Sequence, residues 1–342
     1  MNTNKNNMRS FFVKALMLGL LLTVGGTAVA EAKGRKFGLL VGINKYPDTI
    51  GQLGGCVNDV LKMKSTLTSR YGFKAADLTT LTDAQATRAA IIAKMQAYQK
   101  LAGAGDIFVM HYSGHGSLFP DAYSEIKDET KLLYYEDPES GEVVYPRGKY
   151  DANIVPVDGD KNTSGKPWGN LILDDELYNM FSAFTAKGAQ VVFVSDSCFS
   201  GSIAKATGKL AVKERFVPLH KVRGAKNFES LKFKEPATKG FESAPATTNM
   251  RGLYLTLTGA NAEETALDGG TPGVRMGLFT SNLVRILNTP TAAKMDYAQL
   301  MTSVNKDVSK YALDNLQHNQ NPQLDASFGN PKSVIFSVPT GK

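Results

Sequence analysis

Apolar positions fall into two alternating patterns along the chain. Residues 36–43 (KFGLLVGI), 78–81, 106–112 (DIFVMHY), 190–195 (QVVFVS) and 253–258 (LYLTLT) are short apolar runs, as in strands buried on both faces of a sheet. Residues 57–71, 87–101, 278–287 and 297–313 carry apolar side chains at helical spacing. Residues 174–184 open with acidic side chains, which suit the positive end of a helix. Residues 333–338 read as a terminal strand. Strands alternating with helices predict parallel crossovers and a sheet covered by helices on both faces.

Two segments break the pattern. Residues 117–151 read as an irregular insert, in which a hairpin between 131–135 and 142–145 is one arrangement open to the chain. Residues 203–250 are rich in Lys, Gly, Ala, Thr and Pro and read as an exposed, mobile loop. No internal repeat is present.

The amino terminus has a different character. Lys5, Arg9 and Lys14 precede an apolar run at 15–24 (ALMLGLLLTV), followed by Ala28-Val29-Ala30, a small-x-small cleavage pattern. This predicts a cleavable signal peptide over 1–30, a mature domain over 31–342 with no membrane span, and a periplasmic or secreted location. The 342 residues carry 39 Lys and Arg against 32 Asp and Glu. Much of the excess is local, since seven basic residues between Lys205 and Lys226 oppose Glu214 alone. A nucleic-acid-coating surface is not expected, because outside that run the mature chain is net negative, and the run itself has no interleaved aromatics apart from Phe216. Two cysteines exclude a disulfide scaffold and a multi-cysteine zinc site.

The candidate chemistry lies in two polar turns bracketed by glycine. HYSGHG (111–116) and DSCFSG (196–201) each follow a buried strand, and ligands of open α/β sheets gather beyond the carboxyl ends of strands. One turn supplies a histidine, the other a cysteine. A thiol needs a base to become a nucleophile at neutral pH, and the same imidazole can protonate a leaving amine. Glycines allow close backbone approach and let amides face a developing oxyanion. His111 reads as structural, since it lies on the strand and no HExxH pattern accompanies it.

These turns resemble those of metacaspases and caspase-like cysteine peptidases of the bacterial metacaspase-like branch, with Phe199 where a histidine is common. Segments GCVND (55–59), VPVD (155–158), DDEL (174–177) and MGLFT (276–280) extend the resemblance from Lys36 to about Val338. The resemblance implies a caspase–hemoglobinase fold, an α/β architecture with a mostly parallel central sheet. It implies a large-subunit-like part at 36–202, a basic processing loop at 203–250 and a small-subunit-like part at 251–338.

Carried over residue by residue, it implies Cys198 as nucleophile, His115 as general base and acid, and the amides of Gly116 and Cys198 as an oxyanion hole. A pocket for the side chain before the scissile bond (S1) would comprise Cys56, Asp59, Ser113 and Asp196. Its carboxylates favour Arg or Lys and disfavour Asp. Calcium is implied at Asp158, Asp174 and Asp175, although Lys205 stands where the family has a further ligand and helix capping is the alternative for Asp174 and Asp175. The expectation is an exported, monomeric cysteine endopeptidase that takes protein or peptide substrates after Arg or Lys and cuts itself in the 203–250 loop. A catalytically silent peptide-binding module and a basic-loop binder of anionic partners are the competing classes.

Overall fold

The computed structural model describes residues 34–120, 135–136, 143–144, 150–166, 168–198, 212–223, 252–261, 264–269 and 275–337. The signal peptide expected at 1–30 lies outside them, as do Lys205, Lys209 and Lys226. The first half of the chain forms β1 (Lys36–Gly42), α1 (Cys56–Arg70), β2 (Leu78–Thr82), α2 (Arg88–Leu101), β3 (Ile107–Ser113) and β4 (Gly116–Pro120). There follow β5 (Tyr135–Glu136), β6 (Val143–Val144), β7 (Tyr150–Ile154), β8 (Ile172–Leu173), α3 (Asp174–Thr185) and β9 (Gln190–Asp196). The remainder comprises β10 (Lys213–Glu214), α4 (Leu219–Arg223), β11 (Leu253–Thr258), β12 (Leu267–Asp268), α5 (Leu278–Leu287), α6 (Tyr297–Tyr311) and β13 (Gln323–Phe328).

Six strands make the main sheet in the order β13-β11-β9-β3-β1-β2. All neighbours are parallel except the β11–β13 pair. Alternate residues of each strand face opposite sides of a sheet. Leu39, Val41, Phe108, Met110, Val191 and Phe193 accordingly join α2 and α3 in one apolar cluster. Leu40, Val109, Val192 and Leu255 join α1, α5 and α6 in the other. Burial on both faces is why these strands read as continuous apolar runs.

Side chains set the helix starts. The Thr87 side chain accepts from the amide of Ala90 at the start of α2, and Asp296 does the same for Gln299 at the start of α6. Buried Arg88 on α2 forks onto Glu176 of α3, with Nη2 2.7 Å from Oε1, which ties together the helices of that face. Among the described residues no helix is long and apolar enough to cross a membrane.

The structure corrects four expectations. Residues 333–337 form turns and a single bridge from Val334 to Asp296, not a strand. Ile335 and Phe336 are apolar because they plug the cluster on one face of the sheet. The edge strand is β13, whose mixed, half-exposed side chains gave no strand pattern. The last helix ends at Tyr311 and widens into a π turn over Ala312–Leu316.

The insert at 117–151 is regular at both ends, where β4 pairs antiparallel with β7. Within it Tyr135 and Glu136 pair with Val144 and Val143, inside the hairpin region, while 131–134 and 142 fall outside the described residues. The basic loop is not exposed throughout. Lys213 and Glu214 pair antiparallel with β12, and Arg215, Phe216, Val217, Leu219 and Val222 are buried.

Candidate active site

Register brings the two turns together. In the β3–β9 pair, Tyr112 stands opposite Ser195 and Ser113 opposite Asp196. Two residues beyond the last pair the chain reaches His115 on one strand and Cys198 on the next. Both side chains are buried. A β-carbon on Gly116 would fall 1.9 Å from the Cys198 carbonyl oxygen, so only glycine lets the two turns approach this closely.

His115 is held on all sides. Its Nε2 donates to the carbonyl of Gly51 at 3.0 Å, and its ring packs against Tyr46 with centroids 4.9 Å apart. The Tyr46 hydroxyl accepts from the His115 amide, and the Tyr112 hydroxyl donates to the His115 carbonyl. A proton fixed on Nε2 leaves Nδ1 as the basic lone pair, and Nδ1 has no hydrogen-bond partner among the described residues. Burial lowers the imidazole to about 4, with the Gly51 carbonyl pulling the other way, so the ring is neutral at pH 7. Gly51 carries no sequence signal, because it contributes a main-chain carbonyl.

The Cys198 thiol is pushed well above its ordinary range by burial, partly offset by the Ala266 amide, which donates to Sγ at 2.7 Å. The thiol is therefore protonated in this state and needs a base. Cys56 and Cys198 are both free thiols.

The acidic pocket contains the protein's own arginine. Arg215 is 0 % exposed. Its Nη2 donates to Asp59 Oδ2 at 2.7 Å and to Asp268 Oδ1 at 2.8 Å. Its Nη1 donates to Ser113 Oγ at 2.8 Å and to the Asp196 carbonyl at 3.0 Å, and lies 3.0 Å from Asp196 Oδ1. Cys56 is buried beside this cluster, with Sγ 4.0 Å from Asp268 Oδ1.

Each carboxylate is braced from behind. Asp59 accepts from Ser113 Oγ and the Gly277 amide, Asp196 from the amide and hydroxyl of Thr280, and Asp268 from the amides of Gly54 and Gly55. Buried His111 lies behind Thr280, with Nε2 3.3 Å from Oγ1. Burial raises Asp59 to about 7, against the pull of Arg215. At Asp268, burial is overcome by Arg215 and the two glycine amides, so its carboxyl is held below the usual range. Burial disfavours the Arg215 charge, but the carboxylates of Asp196, Asp59 and Asp268 more than restore it.

Asp268 carries no sequence signal, and Gly277 is marked only as part of the MGLFT segment. Asp268 is distant along the chain and belongs to a two-residue strand. A β-carbon on Gly277 would meet Asp196 Oδ2 at 2.3 Å and the Arg215 guanidinium at 2.7 Å, so its absence shapes the pocket floor.

The main chain of Arg215 is also engaged. Its carbonyl oxygen accepts from the amides of Gly116 at 2.8 Å and Cys198 at 3.3 Å. Its amide donates to the Ala266 carbonyl at 3.0 Å. A carbonyl polarised by two amides beside a thiol, with the preceding side chain in an acidic pocket, is an arrangement for acyl transfer.

The Caspase domain family matches residues 35–331, nearly all of the described chain. The chain belongs to the caspase-domain family of cysteine peptidases. It is similar to metacaspase-9 of Arabidopsis thaliana, 28% identical over 89% of this chain and 98% of the relative. It is also similar to metacaspase-1B of Aspergillus fumigatus, 35% identical over 49% of this chain. The match covers 36% of that relative's length. A solved protein of Geobacter sulfurreducens superposes with a TM-score of 0.59 over 89% of this chain and 99% of its own, at 21% identity, and so shares the fold.

The calcium positions of this caspase-domain chain do not converge. Asp158 caps α2, accepting from the Arg88 amide at 2.9 Å, and its other oxygen accepts from Asn170 Nδ2 at 2.8 Å. Asp174 sits in the first turn of α3, raised to about 6 by burial and then by Asp175, whose amide it accepts at 3.0 Å. Among the described residues no three Asp, Glu, His or Cys side chains group as a metal site. Asp158, Asp174 and Asp175 therefore do not fit as a ready calcium site, and capping accounts for Asp158.

Proposed function

We propose that this chain is an exported cysteine endopeptidase that cleaves after Arg, and less readily after Lys, and that cuts its own Arg215–Phe216 bond. The observation that carries this reading is the seating of Arg215, with its guanidinium among three carboxylates and its carbonyl on the Gly116 and Cys198 amides. A guanidinium uses two nitrogens at once in this pocket, whereas an ammonium is a single point charge. Export is supported by the basic, apolar and small-residue segments of positions 1–30.

Chemistry follows from the groups in place. His115 Nδ1 takes the proton of Cys198 as Sγ leaves the Ala266 amide, and the thiolate attacks the carbonyl carbon of the basic residue. The Gly116 and Cys198 amides hold the oxyanion. His115 returns the proton to the leaving amine, giving a thioester that water hydrolyses to a carboxylic acid and free thiol. The Gly51 carbonyl keeps the imidazole in the tautomer this sequence needs.

Matched peptide reporters with Arg, Lys or Asp before the scissile bond, given to wild type and Cys198→Ala, test the reading. Wild type should prefer Arg over Lys and leave Asp uncut, and the variant should be inactive, since removing a nucleophile costs orders of magnitude in rate. Turnover by folded Cys198→Ala, or preference for Asp, would refute it.

A further inference from the structure

The two sides of the 215–216 peptide are held by different means. On the amino side, Lys213 and Glu214 make a two-residue ladder to β12, and Arg215 fills the pocket. On the carboxyl side, the chain is part of the core. Phe216 clusters with Cys198, Ala260 and Ala266. Val217, Leu219 and Val222, each 1 % exposed, belong to the cluster that contains Phe119 and Ile154. The Val217 amide donates to the Gly116 carbonyl at 3.0 Å. Burial of these apolar side chains holds the segment to the core independently of the peptide bond that precedes it. Cutting the 215–216 bond removes none of these contacts, so the leaving group does not leave.

We infer that the site also makes peptide bonds, rejoining Phe216 to Arg215. This rests on Arg215–Phe216 being the self-cleavage site. The neutral α-amino group of Phe216 attacks the thioester between Cys198 Sγ and the Arg215 carbonyl. The C–N bond forms, the C–S bond breaks, and the amine's surplus proton passes through His115 to the sulfur. No co-reactant is consumed. The hydrolysed Arg215 carboxylate re-enters by the same route reversed, losing water to re-form the thioester.

Well-oriented intramolecular groups react as though present at about 10⁵ M or more, far above the concentration of water. A retained amine therefore outcompetes hydrolysis. An α-amino group titrates near about 7.7–8.0, so rejoining gains as pH rises towards that range and fades in acid. The segment is thus a reversible internal inhibitor. Access for other substrates depends on residues 212–215 peeling from β12, not on cutting alone.

Full-length wild type incubated in heavy-oxygen water tests this. The chains are then denatured and digested, and the peptide spanning 215–216 is weighed. The intact spanning peptide should exchange one ordinary oxygen for a heavy one, faster at about pH 8 than at about pH 6, and not at all once Cys198 is alkylated. Leu219→Ser, which loosens the leaving half, should raise the cut fraction and reduce the label in the intact peptide. Label confined to cut chains, with none in the spanning peptide, would overturn rejoining and leave self-cleavage standing. No cut and no label in either wild type or Leu219→Ser would overturn self-cleavage at this bond, and rejoining with it.

Discussion

Arg215→Ala tests the seating of the arginine most directly. In wild type, Nη2 makes ion-paired hydrogen bonds to Asp59 and Asp268, and Nη1 lies against Asp196. Truncation leaves three buried carboxylates facing one another without the guanidinium. Removing one partner of a buried ion pair costs about 3–5 kcal/mol. The sign with pH follows from linkage. Losing the cation raises the carboxyl pKa values of the folded variant, so the folded variant binds protons that wild type does not. The deficit should therefore be full only above the raised carboxyl values of the variant, which for Asp59 lie above its wild-type value of about 7, and should shrink as pH falls. Urea unfolding of both proteins at about pH 8 and about pH 5 measures this difference. A short peptide amide ending in Arg, at a hundred times its dissociation constant, should return about 2.7 kcal/mol to the variant and little to wild type, whose pocket is filled. The variant should also cleave an Arg reporter without a lag and remain uncut at position 215. Equal stability of the two proteins, with no rescue by the peptide, would refute the claim that Arg215 fills the pocket.

Two further outcomes follow from the same geometry. Asp268→Asn should lower kcat/KM on an Arg reporter by about 10- to 150-fold, the equivalent of one charge-assisted bond of about 1.5–3 kcal/mol, while the Asn oxygen keeps an acceptor for the Gly54 or Gly55 amide. Steady-state kinetics on Arg and neutral reporters would show whether the loss is specific to the charge. Burial lowers His111 to about 3, with Arg215 adding to the effect, and His115 to about 4. Both imidazoles are buried neutral, so stability should fall as pH drops from about 6.5 towards 4, and denaturant midpoints across that range should be flatter in His111→Gln.

Local pattern alone was enough to locate the sheet and the two reactive turns. A strand covered on both faces must be apolar along its length, which made β1, β3, β9 and β11 visible, and the polar turns after β3 and β9 stood out against those runs. Asp59, Ser113 and Asp196 were legible only because they sit beside recognisable motifs. Other parts of the site left no local trace. The Gly51 carbonyl belongs to the backbone, and Asp268 is 72 positions beyond Asp196 in the chain yet shares its guanidinium.

The segment at 212–223 shows the limit most clearly. Its basic, glycine-flanked setting reads as solvated loop, because composition reports the average of a stretch and not the partner of each side chain. Charge that would normally keep Arg215 in water is matched by three carboxylates drawn from α1, β9 and β12, which only folding brings within 3.0 Å of it. The same tertiary effect misled the reading of 333–338, where apolar side chains fill a cluster without any strand to carry them. Sequence determined which groups could react. The fold decided which of them meet, and that one of the chain's own arginines meets them first.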